Sequence, residues 1–136
     1  MKRLLALSLL LGSATANAAT VESANNNFSY LPTLANSGIV NLTPEAITSI
    51  HQLVIDKECK IAGSDKRDLN MTVPFAAHYN PDGSLDKIVI KRIGCARAEG
   101  ILGGVLLEMF GRGEFKPTGA NQDGWYRSQL SFENHV

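Results

Sequence analysis

Neither charge sign is in excess: 13 Lys and Arg residues balance 13 Asp and Glu. No basic patch stands out, which argues against nucleic acid as a partner. Acidic tails and low-complexity tracts are absent too, so no solvated interaction tail is expected. No HExxH, GxSxG, CxxC or glycine-rich phosphate loop occurs. The three histidines lie far apart in sequence, a poor start for a metal site. The reading is therefore a non-enzyme with no cofactor and no metal. The best raw material for an enzyme would be Cys95 as a thiol nucleophile with His51 or His78 as its base, and scattered carboxylates such as Asp56 and Asp86.

Long hydrophobic runs are also missing. The one apolar run at the start, Leu4 to Leu11, is far shorter than the roughly 20 residues a bilayer span needs. It follows the basic Met1-Lys2-Arg3 and precedes a small, polar stretch ending Ala16-Asn17-Ala18. That is the layout of a secretory signal over residues 1–18, with cleavage expected after Ala18. No later stretch spans a membrane, so the expected product is a periplasmic chain without a membrane anchor. It would hold 136 − 18 = 118 residues, with 13 − 2 = 11 basic against 13 acidic side chains, enough for one domain and one core.

Cysteine is scarce: Cys59 and Cys95 alone. In an oxidising compartment an even count favours a disulfide, which could remove about 4 kcal/mol of unfolded-state entropy. The rival is the free Cys95 thiol already named, which needs a lowered pKa and a base within reach.

Residues 19–42 are rich in Ala, Asn, Ser and Thr and show no helical period and no clean alternation. They are expected to form an extended or mobile arm, with Phe28, Tyr30, Leu31 and Leu34 available to pin it to the domain surface or to form a small docking motif. The domain proper is read as residues 43–136. Thr43-Pro44-Glu45 starts a helix: Thr43 caps free amides, Pro44 fits the first turn, and Glu45 suits the positive end. Ile47, Ile50, Leu53 and Val54 form its apolar stripe, so the helix is expected from Pro44 to about Glu58.

Leu69 to Tyr79 alternates with period two and reads as a half-buried strand, with a distortion expected near Pro74. Asn80-Pro81-Asp82-Gly83 is a turn, and Leu85 to Ile93 is the return strand, apolar on both faces. Gly94 breaks it. From Ala96 to Phe110 the apolar residues recur at helical spacing. Gly100, Gly103 and Gly104 cost about 1 kcal/mol each there, which close approach to the sheet or to the first helix would offset. Trp125 to Phe132 alternates again: Tyr126, Ser128, Leu130 and Phe132 share one face, Trp125, Arg127, Gln129 and Ser131 the other.

Helix, hairpin, helix and strand, the Pro81-Asp82-Gly83 turn, Gly113-Glu114-Phe115-Lys116-Pro117, then Trp125 and Leu130-Ser131-Phe132 together resemble the C-terminal domain of TonB, the periplasmic energy transducer of Gram-negative bacteria. The resemblance covers about Asn70 to Phe132, and Thr43 to Cys59 more loosely. It implies an α+β fold, a three-stranded antiparallel sheet in the order 2-1-3 packed on two helices, with the last strand at an edge. In TonB that strand receives a short segment of an outer-membrane receptor by strand addition. Carried over, Trp125, Tyr126, Arg127, Ser128 and Gln129 are the contact residues, and the partner is a protein or peptide of the envelope, an outer-membrane receptor included, or a second copy in a homodimer. The chain departs from TonB in having no membrane helix that stays uncleaved, no proline-rich spacer, and two cysteines outside the family pattern. Fold therefore transfers better than energy coupling. An accessory envelope or secretion protein acting through its arm is the other non-enzymatic reading.

Overall fold

A computed structural model describes residues 18–36, 42–119 and 123–136. The expected signal segment falls, but for Ala18, outside the described residues.

The element order is β1 (Thr20–Ala24), β2 (Leu34–Asn36), α1 (Pro44–Ile55), β3 (Asp68–Tyr79), β4 (Leu85–Lys91), α2 (Ala96–Gly111), β5 (Phe115–Pro117) and β6 (Trp125–His135). The architecture is α+β. The expected three-stranded, wholly antiparallel sheet is corrected: the sheet has four strands in the order β1-β4-β3-β6, and a second, two-stranded sheet joins β2 to β5. The added strand, β1, comes from the arm and lies parallel to β4, so the sheet is mixed.

The two helices form for the reasons legible in their ends. Thr43 Oγ1 accepts the Ala46 amide at 3.2 Å, and Pro44 occupies the first turn. Lys57 closes α1 in the left-handed region, φ 62°, earlier than the sequence stripe suggested. The hairpin turn is held by the Gly83 amide on the Asn80 carbonyl and the Asn80 amide on Ser84, with Gly83 at φ 89°.

Pro74 does not distort β3. Pairing with β6 runs without a break from Asp68 to His78, and the irregularity lies instead between His78 and Tyr79, on the β4 side. The reason is positional. Pairing with β4 stops at Phe75, one residue short, so the donor Pro74 lacks would have pointed where β4 no longer pairs.

Both helices cover one face of the sheet. That face holds Leu69, Met71, Val73, Phe75 and Ala77 of β3, Ile88 and Ile90 of β4, and Tyr126 and Leu130 of β6, packed on Ile50, Leu53, Leu102, Leu106 and Met109. Phe75 packs edge-on against Phe115 and Phe110, centroids 5.4 and 6.1 Å away. Phe115, from the Gly-Glu-Phe-Lys-Pro stretch, is thus a core anchor. Cys59, after α1, and Cys95, before α2, lie at disulfide-bonding distance with Cα atoms 5.5 Å apart, tying the two helices together. One glycine of α2 is explained directly: a Cβ on Gly103 would sit 2.8 Å from Val21 Cγ1, so β1 packs where any side chain would intrude. Nothing in the structure accounts for Gly100 and Gly104.

Candidate functional site: the β6 edge and the arm that crosses to it

The arm reaches both edges of the sheet. After β1 has paired with β4, the chain leaves that edge and crosses the face away from the helices. There Phe28 packs on Ala76 of β3 and Val89 of β4, with Ala24, Leu31 and Trp125 around it. Phe28 and Leu34 are buried, whereas Tyr30 is largely exposed. The chain then meets the opposite edge. Thr33 bridges Arg127 in parallel, the Arg127 amide donates to the Pro32 carbonyl at 2.8 Å, and Arg127 Nε donates to the Leu31 carbonyl at 2.8 Å.

β6 is eleven residues long and lies at the end of the sheet. Its side chains fall on the two faces as the alternation predicts: Tyr126 and Leu130 are buried toward the helices, and Gln129, Ser131 and Glu133 are exposed on the other side. Backbone groups alternate with the same period. Because the Arg127 amide points off the sheet, those of Gln129, Ser131 and Glu133 do as well. Among the described residues no hydrogen bond fills those three outward amides. Among the described residues the edge thus has two parts: a segment at Arg127 taken by the arm, and an open run from Gln129 onward.

The five residues expected to contact a partner divide between these parts. Trp125 stacks obliquely on His78, ring centroids 4.8 Å apart, and His78 Nδ1 is 2.9 Å from Asp86 Oδ2. Gly124, just before it, has φ 71°, and a Cβ there would collide with the Tyr79 carbonyl, so the entry to β6 requires glycine. Tyr126 is buried, and its hydroxyl donates to the Gly119 carbonyl. Arg127 is engaged by the arm. Ser128 is half-buried, and Gln129 is exposed at the first free outward amide. Ser131, Glu133, Pro32 and Thr33 were not among the residues singled out in the sequence, whereas Phe28 and Leu31 were expected to pin the arm to the domain and do pack there.

At the far end of β6, His135 Nδ1 lies 2.7 Å from Asp68 Oδ1, and its Nε2 is 3.8 Å from Glu133. The hydrogen bond to Asp68, against partial desolvation and with help from the Glu133 charge, raises the His135 pKa. At the near end a cleft of ≈ 500 Å³ opens between the arm and the strand, lined among others by Asn27, Pro74, Lys91, Arg127 and Gln129.

The other titratable groups have structural partners. Cys95 is bonded to Cys59, so it presents no thiol. His51 is 1% exposed, with Nε2 2.9 Å from the Asp65 carbonyl and Nδ1 2.9 Å from the Asn134 amide nitrogen. This pattern fits the neutral ring, donating at Nε2 and accepting at Nδ1. Glu99, buried under β1, takes the Ile93 amide at 2.9 Å and the Cys95 amide at 3.4 Å. Burial alone would raise its pKa. The Ile93 amide, the Ser23 hydroxyl, the Cys95 amide and the Arg92 charge outweigh that and hold it low. Among the described residues no group of three or more His, Cys, Asp or Glu is arranged to hold a metal, and no helix is long and apolar enough to cross a membrane. Compared with known proteins, the chain matches no family model, no curated protein and no solved structure.

Proposed function

We infer that this chain is a periplasmic protein-binding module that takes an extended segment of a partner as an additional strand on the outer edge of β6. The observation that carries the reading is the run of outward amides at Gln129, Ser131 and Glu133, unfilled among the described residues, on an eleven-residue edge strand. Backbone pairing would supply affinity, and the alternating side chains of β6 would supply selectivity. The likeness to the TonB C-terminal domain supports an envelope protein, such as an outer-membrane receptor, as the class of partner. The contact surface is then centred on Gln129 to Glu133, with Trp125 to Ser128 at its closed end. The arm, in place of a separate functional tail, forms one wall of this surface.

Proline substitution tests it with the fold kept. Because the Ser131 amide points off the sheet, Ser131→Pro deletes an outward donor and spares the ladder to β3. Envelope extract is passed over immobilised wild-type protein and over the Ser131→Pro and Gln129→Pro variants, each checked for native melting. A partner retained by wild type and lost, by about fivefold or more, from both variants is the expected result, on the scale of one hydrogen bond. Equal retention by all three contradicts edge pairing.

A further inference from the structure

Resting on that reading, we propose that the segment docked on β6 is the free C-terminal end of a partner polypeptide, running antiparallel to β6, with its terminal carboxylate held at the cleft beside Arg127 and Lys91.

Three observations lead there. The first is a stop. The arm closes the edge at Arg127, where Pro32 takes the outward amide and Thr33 pairs with it. A guest strand laid along Gln129 to His135 therefore cannot continue past Arg127 unless the arm is displaced. An internal segment of a long chain would collide with Leu31 to Thr33, whereas a strand that terminates there fits.

The second is charge. The cleft at this closed end is lined by Lys91 and Arg127, and none of the described residues lining it is acidic. Register explains how two cations from separate strands come to line one cleft. Pro74 pairs with Gln129 on β6, and Phe75 pairs with Ile90, which sets Lys91 level with Pro74 on the other side. Lys91 and Arg127 both belong to the face away from the helices, the former alternating with Ile90 and the latter with Tyr126, which face the core. Lys91 is exposed, and neither cation makes an ion pair among the described residues. Arg127 Nε is committed to the arm, which fixes the guanidinium at the stop and leaves its other nitrogens to donate.

The third is polarity. β6 runs from Trp125 to His135, so an antiparallel guest ends beside Gln129 and a parallel guest begins there. A guest beginning there would set its ammonium against two cations, and a guest ending there sets its carboxylate against them. The same arrangement places the guest's upstream residues near Glu133, so a basic residue before the final strand is favoured. Capture of a terminal carboxylate at the end of an added strand is a known way for backbone pairing to gain specificity.

The test uses the whole chain and one synthetic peptide, an eight-residue strand of alternating threonine and valine with a lysine at its start. It is made with a free carboxylate, as the C-terminal amide, and with a Gly-Gly-Ser extension beyond the last valine. Binding is followed by NMR shifts of the Gln129, Ser131 and Glu133 amides. The free-carboxylate peptide is expected to bind about tenfold more tightly than the other two, the scale of one charge-assisted hydrogen bond. Lys91→Gln is expected to remove most of that advantage without moving the affinity of the amide peptide, and Lys66→Gln is the charge-matched control. A spin label on the peptide's first residue is expected to broaden signals near His135 and leave those near Arg127 sharp. Equal affinity of the three peptides at the same edge amides, or broadening at Arg127, overturns the C-terminal proposal and leaves edge docking standing. If no form of the peptide perturbs the edge amides, edge docking and this proposal fail together.

Discussion

The two faces of the sheet are covered by different means. Toward the helices lies a continuous core: three aromatic rings meet at Phe75, two helices are tied by Cys59 and Cys95, and β1 is pressed against Gly103. On the opposite face a single buried ring, Phe28, rests on Ala76 and Val89. One face sets stability. The other carries a thin polar strap whose last act is to occupy the β6 edge at Arg127. Regions that move or bind are often drawn from the weakly held part of a fold, and here that part adjoins the edge proposed for docking.

The sharpest way to break this comparison is to cut one ring from each face. Phe75→Ala is expected to cost about 3–5 kcal/mol in denaturant unfolding, since it leaves a cavity among rings that cannot collapse. Phe28→Ala should cost less than half as much, about 1–2 kcal/mol, because the arm can detach locally instead of holding a void. Amide exchange in that variant should rise at Arg127 while β3 keeps its protection. Equal losses from the two substitutions would mean the arm belongs to the main cooperative unit.

A smaller effect separates the faces by pH. The folded Glu99 pKa lies below the ordinary glutamate value of 4.5. A depressed pKa means stability that is fully present above that ordinary value and lost as pH falls through the folded value. Glu99→Gln should therefore be less stable than wild type at neutral pH and show a shallower loss below about pH 4. Parallel acid limbs for the two proteins would show that Glu99 does not carry the effect. Smallest of all, Tyr79→Phe should be neutral or stabilise by up to about 1 kcal/mol. Among the described residues its hydroxyl is buried without a partner, and burial, with Tyr126 beside it, pushes its pKa up to about 12. A loss above about 1 kcal/mol on the same denaturation curve would show that the hydroxyl has a bonding role.

These contrasts also mark what could be read in advance. The helices and the hairpin were legible because their signals are local: the Thr43-Pro44 cap, the stripe from Ile47 to Val54, the alternation from Leu69 to Tyr79, and the Pro81-Asp82-Gly83 turn. The disulfide followed from an even cysteine count in a chain read as exported. β1 was not legible. Thr20 to Ala24 offers the main core only Val21 and the Phe28 cluster only Ala24, while its Ser23 serves Glu99 and its Glu22 lies 3.5 Å from Lys87, all partners distant in sequence. Which part of the β6 edge the arm covers was not legible for the same reason. Alternation identified the faces of β6 correctly, but which amides are open depends on Pro32 and Thr33, about ninety residues upstream in the chain. Pro74 misled because a missing donor costs nothing where no neighbour strand accepts it.

The central claim is that β6 is closed at Arg127 and open from Gln129, and residue-resolved amide exchange on the free protein tests it most directly. Slow exchange is expected at Arg127, held by Pro32, and at Leu130 and Phe132, held by β3, with fast exchange at Gln129, Ser131 and Glu133. Uniform protection along the strand, or an Arg127 amide that exchanges as fast as Gln129, would contradict it.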